Sequence, residues 1–203
     1  MRRRRTAFGA AKAVTAGGIL RPAFDRRLKV PQPIVRVYIA VSLDGCIARE
    51  DGALDRLEPV HVAGEDYGYA QFFANIDALI IGRNTYDSVL AFAQRPFGGK
   101  PVTVLAHRAL TPQHGELAYA DAPRPLRERL AAAGLRAVYL DGGQAIRQSL
   151  QEHLVDELTL NIVPVLLGRG RPLFAPAAAA LNWTLLSSRS FSSGLVQNRY
   201  RRS

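Results

Sequence analysis

The sequence predicts an α/β domain with a mixed, mostly parallel central sheet, helices on both faces and an antiparallel strand pair at the C-terminus. Three observations predict it. From Ile34 onward, short apolar, β-branched runs alternate with stretches of helical spacing. Two of those runs pass directly into glycine-containing turns, Gly82-Arg83-Asn84-Thr85 and Asp141-Gly142-Gly143-Gln144, as strands of parallel sheets do where a helix follows. Finally, 203 residues with 48% hydrophobic and 22% charged content suffice for one domain with a sizeable core.

Pro31 and Pro33 separate a basic leader, residues 1–33, from the folded domain, residues 34–203. Ile34 to Val41 reads as a buried strand. Ser42 to Leu57, rich in Gly, Asp and Arg, has no sustained period and predicts a long loop over one end of the sheet; loops of that length are commonly functional. Asp66 to Ile76 carries Tyr69, Phe72, Phe73 and Ile76 at helical spacing behind acidic residues suited to a helix start. Ala78 to Ile81 is a second strand, followed by a short helix that ends before Pro96, and Val102 to Ala106 a third. Leu126 to Ala133 reads as a helix closed by Gly134, Ala137 to Leu140 as a fourth strand, and Ala145 to Leu154 as a helix. Leu158 to Leu166 is another strand. Trp183 to Leu186 and Leu195 to Tyr200, joined through Ser-rich residues and Gly194, close the domain as an antiparallel pair.

Composition narrows the function classes. The formal charge is +10, but residues 1–30 hold nine Arg or Lys against the single acid Asp25, so the folded part is nearly neutral. A polybasic arm such as Arg2 to Arg5 can touch nucleic acid or anionic lipid by electrostatics alone, whereas the domain itself has no basic surface signature. No apolar run reaches the roughly 18 residues of a membrane span. Cys46 is the single cysteine and suits a reducing compartment, so the cytoplasm is the expected location. His61, His107, His114 and His153 show no metal-ligand spacing among themselves or with Cys46, and no metal is expected.

The chemistry concentrates at strand-to-helix junctions. Free backbone amides at a helix start face an anion and the helix dipole favours it. In the first junction Gly82 allows close backbone approach, Arg83 can fork onto a phosphate, and Asn84 and Thr85 add polar donors. In the second, Gly142 and Gly143 free the backbone to pass beside a pyrophosphate, with Gln144 behind them. A third strand end, Leu105-Ala106-His107-Arg108, offers a cation for a further phosphate. Three such ends imply a dinucleotide with an extra phosphate, as in NADPH. Neither a Gly-x-Gly-x-x-Gly fingerprint nor a Walker loop is present.

The order of motifs resembles the dihydrofolate-reductase-like family, and within it the C-terminal reductase domain of the bifunctional riboflavin-biosynthesis deaminase/reductase. The resemblance runs from about Ile34 to Arg201 and rests on Ala40-Val41-Ser42-Leu43-Asp44-Gly45, Ile80 to Tyr86, Asp141-Gly142-Gly143, and Val155-Asp156-Glu157-Leu158 leading to Pro164-Val165-Leu166-Leu167-Gly168. It implies a dihydrofolate-reductase-like sheet and an NADPH-dependent reductase that passes a hydride to a small heterocycle, an aminopyrimidine or a pterin. It further implies that backbone at Ala40 and Ile47 holds the nicotinamide carboxamide. Gly82 to Thr85 and Gly142 to Gln144 would hold the phosphates, and His107 and Arg108 would reach the adenosine end. Hydride transfer also requires a proton. The resemblance places Asp44 beside nicotinamide and substrate and Glu157 facing the pocket, making these the candidate catalytic residues, with Asp66 and Glu65 behind them. A homodimer is implied as well.

Two positions depart from that family. Tyr38 stands where the riboflavin enzyme carries a lysine thought to meet its substrate, and Asp141 replaces the first glycine of a triple-glycine pattern. The zinc signature of a deaminase is absent. The contrasting reading is a non-catalytic nucleotide-binding module whose basic arm contacts nucleic acid.

Overall fold

The computed structural model describes residues 31–92, 97–108, 110–120, 122–174 and 180–203; most of the basic leader lies outside them. The strands are β1 (Ile34–Ser42), β2 (Cys46–Ala48), β3 (Ala78–Gly82), β4 (Val102–Leu105), β5 (Leu117–Tyr119), β6 (Ala137–Asp141), β7 (Glu157–Val163), β8 (Arg171–Pro172), β9 (Trp183–Ser190) and β10 (Val196–Arg202). The helices are α1 (Tyr69–Ala74), α2 (Arg83–Leu90), α3 (Pro123–Ala132) and α4 (Gly143–Gln151), with one 3₁₀ helix at Asp55–Val60.

Eight strands form one sheet in the order β5-β4-β3-β6-β1-β7-β10-β9. Every pairing from β5 to β7 is parallel, while β10 runs antiparallel to both β7 and β9. The mostly parallel α/β sheet with an antiparallel C-terminal pair is therefore the architecture the alternating pattern predicts. Parallel strands require crossovers, and these place helices on both faces. Val37, Ile80, Val138 and Leu140 meet Leu126 and Leu130 of α3 and Ile146 and Leu150 of α4 on one face. Leu79, Ile81 and Val104 meet Phe72, Phe73 and Tyr86 from α1 and α2 on the other. Burying each such side chain contributes about 1.5–3 kcal/mol.

Three segments differ from expectation. The long loop after β1 contains β2, which pairs with β8 from the far end of the chain, and the 3₁₀ helix. α1 begins at Tyr69 rather than Asp66, because Tyr67 and Gly68 adopt positive φ. Asp66 still supports it from outside, accepting from the amides of Gly68 at 2.8 Å and Ala70 at 2.9 Å. Leu195, expected to open the closing strand, precedes β10 and is buried in this chain's own core beside Val60 and Val163.

The layout fixes where a ligand can sit. β3, β6 and β1 are neighbours in the sheet, yet β1 and β3 are joined by a crossover that skips β6. The carboxyl ends of adjacent parallel strands whose connections diverge leave a crevice.

Candidate functional site

At that crevice the starts of α2 and α4 lie side by side. β3 pairs with β6 through Ile81 and Asp141, so the turns that follow are in contact. Glycine is required at the second turn for two reasons. Gly142 has φ 102°, and a Cβ on it would fall 2.8 Å from Thr85 Oγ1 and 3.1 Å from the Gly82 amide nitrogen. A Cβ on Gly143 would fall 2.2 Å from Ile47 Cδ1. Two helix N-termini thus open onto one cleft of about 360 Å³, and the backbone amides and dipole of a helix start suit an anion.

Nine predicted cofactor positions line this cleft together: Ala40, Ile47, Gly82, Arg83, Asn84, Thr85, Gly142, Gly143 and Gln144. Arg83 bridges to Asp87 one turn along α2, its Nε 2.8 Å from Oδ1, so a phosphate would compete with that carboxylate. His107 and Arg108 follow β4 and are exposed, but they do not line the cleft. Asp141, the departure from the glycine pattern, turns onto its own backbone and accepts from the Gly142 amide at 2.8 Å. Burial raises its carboxyl pKa above the ordinary carboxylate value, and the amide bond works in the opposite direction.

A second hollow of about 250 Å³ lies across β1. Tyr38 lines both it and the cleft. The Tyr38 hydroxyl donates to the Tyr67 carbonyl at 2.9 Å and accepts from Gln197 Nε2 at 3.2 Å, and Gln197 also donates to buried Asn161 at 2.7 Å. Burial pushes the Tyr38 phenol up to about 12, so it holds its proton at any working pH. Glu157 faces this second hollow between two arginines, 2.9 Å from Arg36 and 3.2 Å from Arg201. Arg189 and Arg199 of the β9–β10 pair complete a basic wall.

Asp44 lines neither hollow. Its carboxylate accepts from Ser42 Oγ at 2.5 Å, the Leu167 amide at 3.2 Å and the Gly168 amide at 2.8 Å. Those bonds, the Ser42 hydroxyl first, lower its pKa, and they fasten the end of β1 to the loop after β7. This arrangement favours a clasp over a proton donor. Asp66 and Glu65 are likewise engaged by local amides, Glu65 with that of Tyr67 at 2.8 Å.

Three further arginines line the cleft. Arg147 stands one turn into α4, a spacing readable from Gly143, and donates to the Pro172 carbonyl at 2.8 Å. Arg171 reaches the cleft only because β8 pairs with β2, and donates to the Glu50 carbonyl at 3.0 Å. Arg56, on the 3₁₀ helix, is 4% exposed and donates from Nη2 to the Ala40 carbonyl at 2.9 Å. Among the described residues, no group of three or more His, Cys, Asp or Glu is placed to hold a metal ion, and no helix is long and apolar enough to cross a membrane.

Comparison with known proteins gives a consistent result. The family model described as RibD C-terminal domain matches residues 33–197. The uncharacterized protein YwjB of Bacillus subtilis (strain 168) is 33% identical over 141 residues, 68% of this chain and 80% of its own. A putative riboflavin biosynthesis protein from Shewanella sp. PV-4 superposes with TM-score 0.79 at 34% identity, covering 84% of this chain and 99% of that one. Two more distant structures share the fold. One is a diaminohydroxyphosphoribosylaminopyrimidine deaminase/5-amino-6-(5-phosphoribosylamino)uracil reductase from Thermotoga maritima, with TM-score 0.65, 14% identity and coverage of 85% of this chain and 57% of that one. The other is a dihydrofolate reductase from Enterococcus faecalis complexed with NADP(H), with TM-score 0.59, 17% identity and coverage of 85% and 98%.

Proposed function

The chain belongs to the RibD C-terminal domain family, and from that premise we propose that it is an NADPH-dependent reductase of a small heterocycle, an aminopyrimidine or a pterin. The observation that carries the proposal is the paired helix start, where Gly142 packs so closely on Thr85 and Gly82 that only glycine fits. Such a cradle suits a pyrophosphate. Arg83, Arg147 and Arg171 add cations along the same cleft. The reductase fold shared with the Thermotoga and Enterococcus proteins supports the reading.

In this reading Gly82 to Thr85 and Gly142 to Gln144 hold the phosphates, and backbone at Ala40 and Ile47 orients the nicotinamide carboxamide. NADPH, when bound, supplies a hydride. The acceptor occupies the neighbouring hollow, where Glu157 and Arg36 orient it from β7 and β1. Tyr38 stands at the boundary, where its hydroxyl, donated to the Tyr67 carbonyl, serves as a positioning group beside the acceptor; Asp44 lines neither hollow. His107 and Arg108 contribute at most to the outer, adenosine end.

Fluorescence titration with NADPH and NADH tests the reading. NADPH is expected to bind in clear preference, and Arg83→Ala to weaken it by about 1–3 kcal/mol through loss of a charge-assisted contact. Absence of binding by either dinucleotide would remove the cofactor assignment.

A further inference from the structure

Arg56 is a buried cation that the proposed reaction does not use. It is 4% exposed, and its Nε and Nη1 are buried with no hydrogen-bond partner among the described residues. Its Nη2 donates to the Ala40 carbonyl. The adjacent carboxylate, Asp55, is turned to Arg49, whose Nε lies 2.8 Å and 2.9 Å from its two oxygens. Among the described residues Arg56 takes part in no ion pair; burial lowers its pKa from the ordinary arginine value, and the nearby charge of Asp55 works in the opposite direction. Asp141, the acid in the cleft lining, is bonded at the α4 start to the Gly142 amide.

An arginine held this way is costly, since a charge removed from water is normally matched by a counter-ion or a full set of acceptors. Its field is cancelled only in part, because the Asp55 carboxylate beside it is bonded to Arg49, and it acts in a low-dielectric wall where charge–charge terms are larger than in water. Arg56 lines the same cleft as Ala40, whose carbonyl it holds, and as its chain neighbours Leu54 and Leu57.

We propose that Arg56 makes the cleft selective for the charge of the ligand's ring, admitting a neutral dihydronicotinamide and disfavouring the nicotinamide cation. The inference rests on the reading above that seats the ring beside Ala40 and Ile47. Oxidation of the ring creates a positive charge in the cleft that Arg56 lines, so the oxidised dinucleotide is held less tightly than the reduced one. The phosphate cradle treats the two forms alike, because they share every atom outside the ring.

The experiment is a pair of titrations, NADPH and NADP⁺, on the full chain and on Arg56→Met and Arg56→Lys, with 2′,5′-ADP as a ring-free control. The wild type is expected to bind NADPH on the order of tenfold more tightly than NADP⁺. Arg56→Met should bring that ratio towards one, Arg56→Lys should retain it, and 2′,5′-ADP affinity should be the same in all three. A fold defect would weaken every ligand together and leave the ratio unchanged. A wild-type ratio of one or less overturns the inference without recourse to any variant, as does a ratio that survives Arg56→Met. Failure of both dinucleotides to bind the wild type is a different result and overturns the cofactor reading itself.

Discussion

Asp141 shows how one side chain can set the strength of an anion site. A glycine there would add no charge to the cradle, whereas Asp141 puts a carboxyl into the cleft lining and bonds it to the Gly142 amide. Because burial raises its pKa in the folded chain, the fold favours the protonated acid. The stability linked to that group is present at low pH and is lost as pH rises through the folded pKa. Above that folded pKa the charged carboxylate opposes both folding and phosphate binding. Asp141→Asn keeps an oxygen for the Gly142 amide and removes the charge. It is expected to raise Tm and tighten NADPH binding at pH 8, both gains shrinking as the pH is lowered. Thermal unfolding and NADPH titration from pH 5 to 8 check this, and equal affinity of the two proteins at pH 8 would contradict it.

Asp156 does comparable work between elements. It accepts from Arg127 of α3 at 2.6 Å, from Arg202 of β10 at 2.9 Å and from the Val35 amide of β1 at 2.9 Å, joining a helix to the middle and the C-terminal part of the sheet. Arg127 also holds the Pro33 carbonyl at 2.8 Å, where the domain begins. Asp156→Ala leaves a partly buried arginine and the Val35 amide unmatched, and is expected to cost on the order of 2–3 kcal/mol in urea unfolding with little change in NADPH affinity. The motif that contains Asp156 was visible in the sequence, but its bonding was not, since its partners come from three remote segments. The same limit separates the legible elements from the rest. β1, β3, β6 and the helices after them announce themselves by β-branched runs and helical spacing, and the glycines between them announce the cradle. β2 and β8 have three and two residues, too few for a period, and exist only because each pairs with the other. Arg171 enters the cleft on β8 and Arg56 on the short 3₁₀ helix, so their place in the site could not be read from spacing.

For the whole molecule, the two sheet edges differ. β5 closes one edge with three residues. β9 leaves eight residues of backbone open at the other, with Leu185 53% and Leu186 42% exposed. A register shift at Arg199 and Tyr200 sets the leucine pair opposite Tyr200. A long edge strand carrying apolar side chains is a template for pairing unless it is covered. We propose that a second copy of the chain covers it, in keeping with the homodimer the family resemblance implies, while Leu195 and Tyr200 serve the core within each chain. Sedimentation equilibrium of the full chain at 0.5 M NaCl, where the +10 charge is screened, is expected to give a dimer. Leu185→Lys with Leu186→Lys should shift it to monomer, because two ammonium groups cannot be buried unpaired against their symmetry mates. The cradle lies across the sheet from β9, so each monomer should still bind NADPH. A wild type that sediments as a monomer at tens of micromolar would leave the β9 edge without its proposed partner.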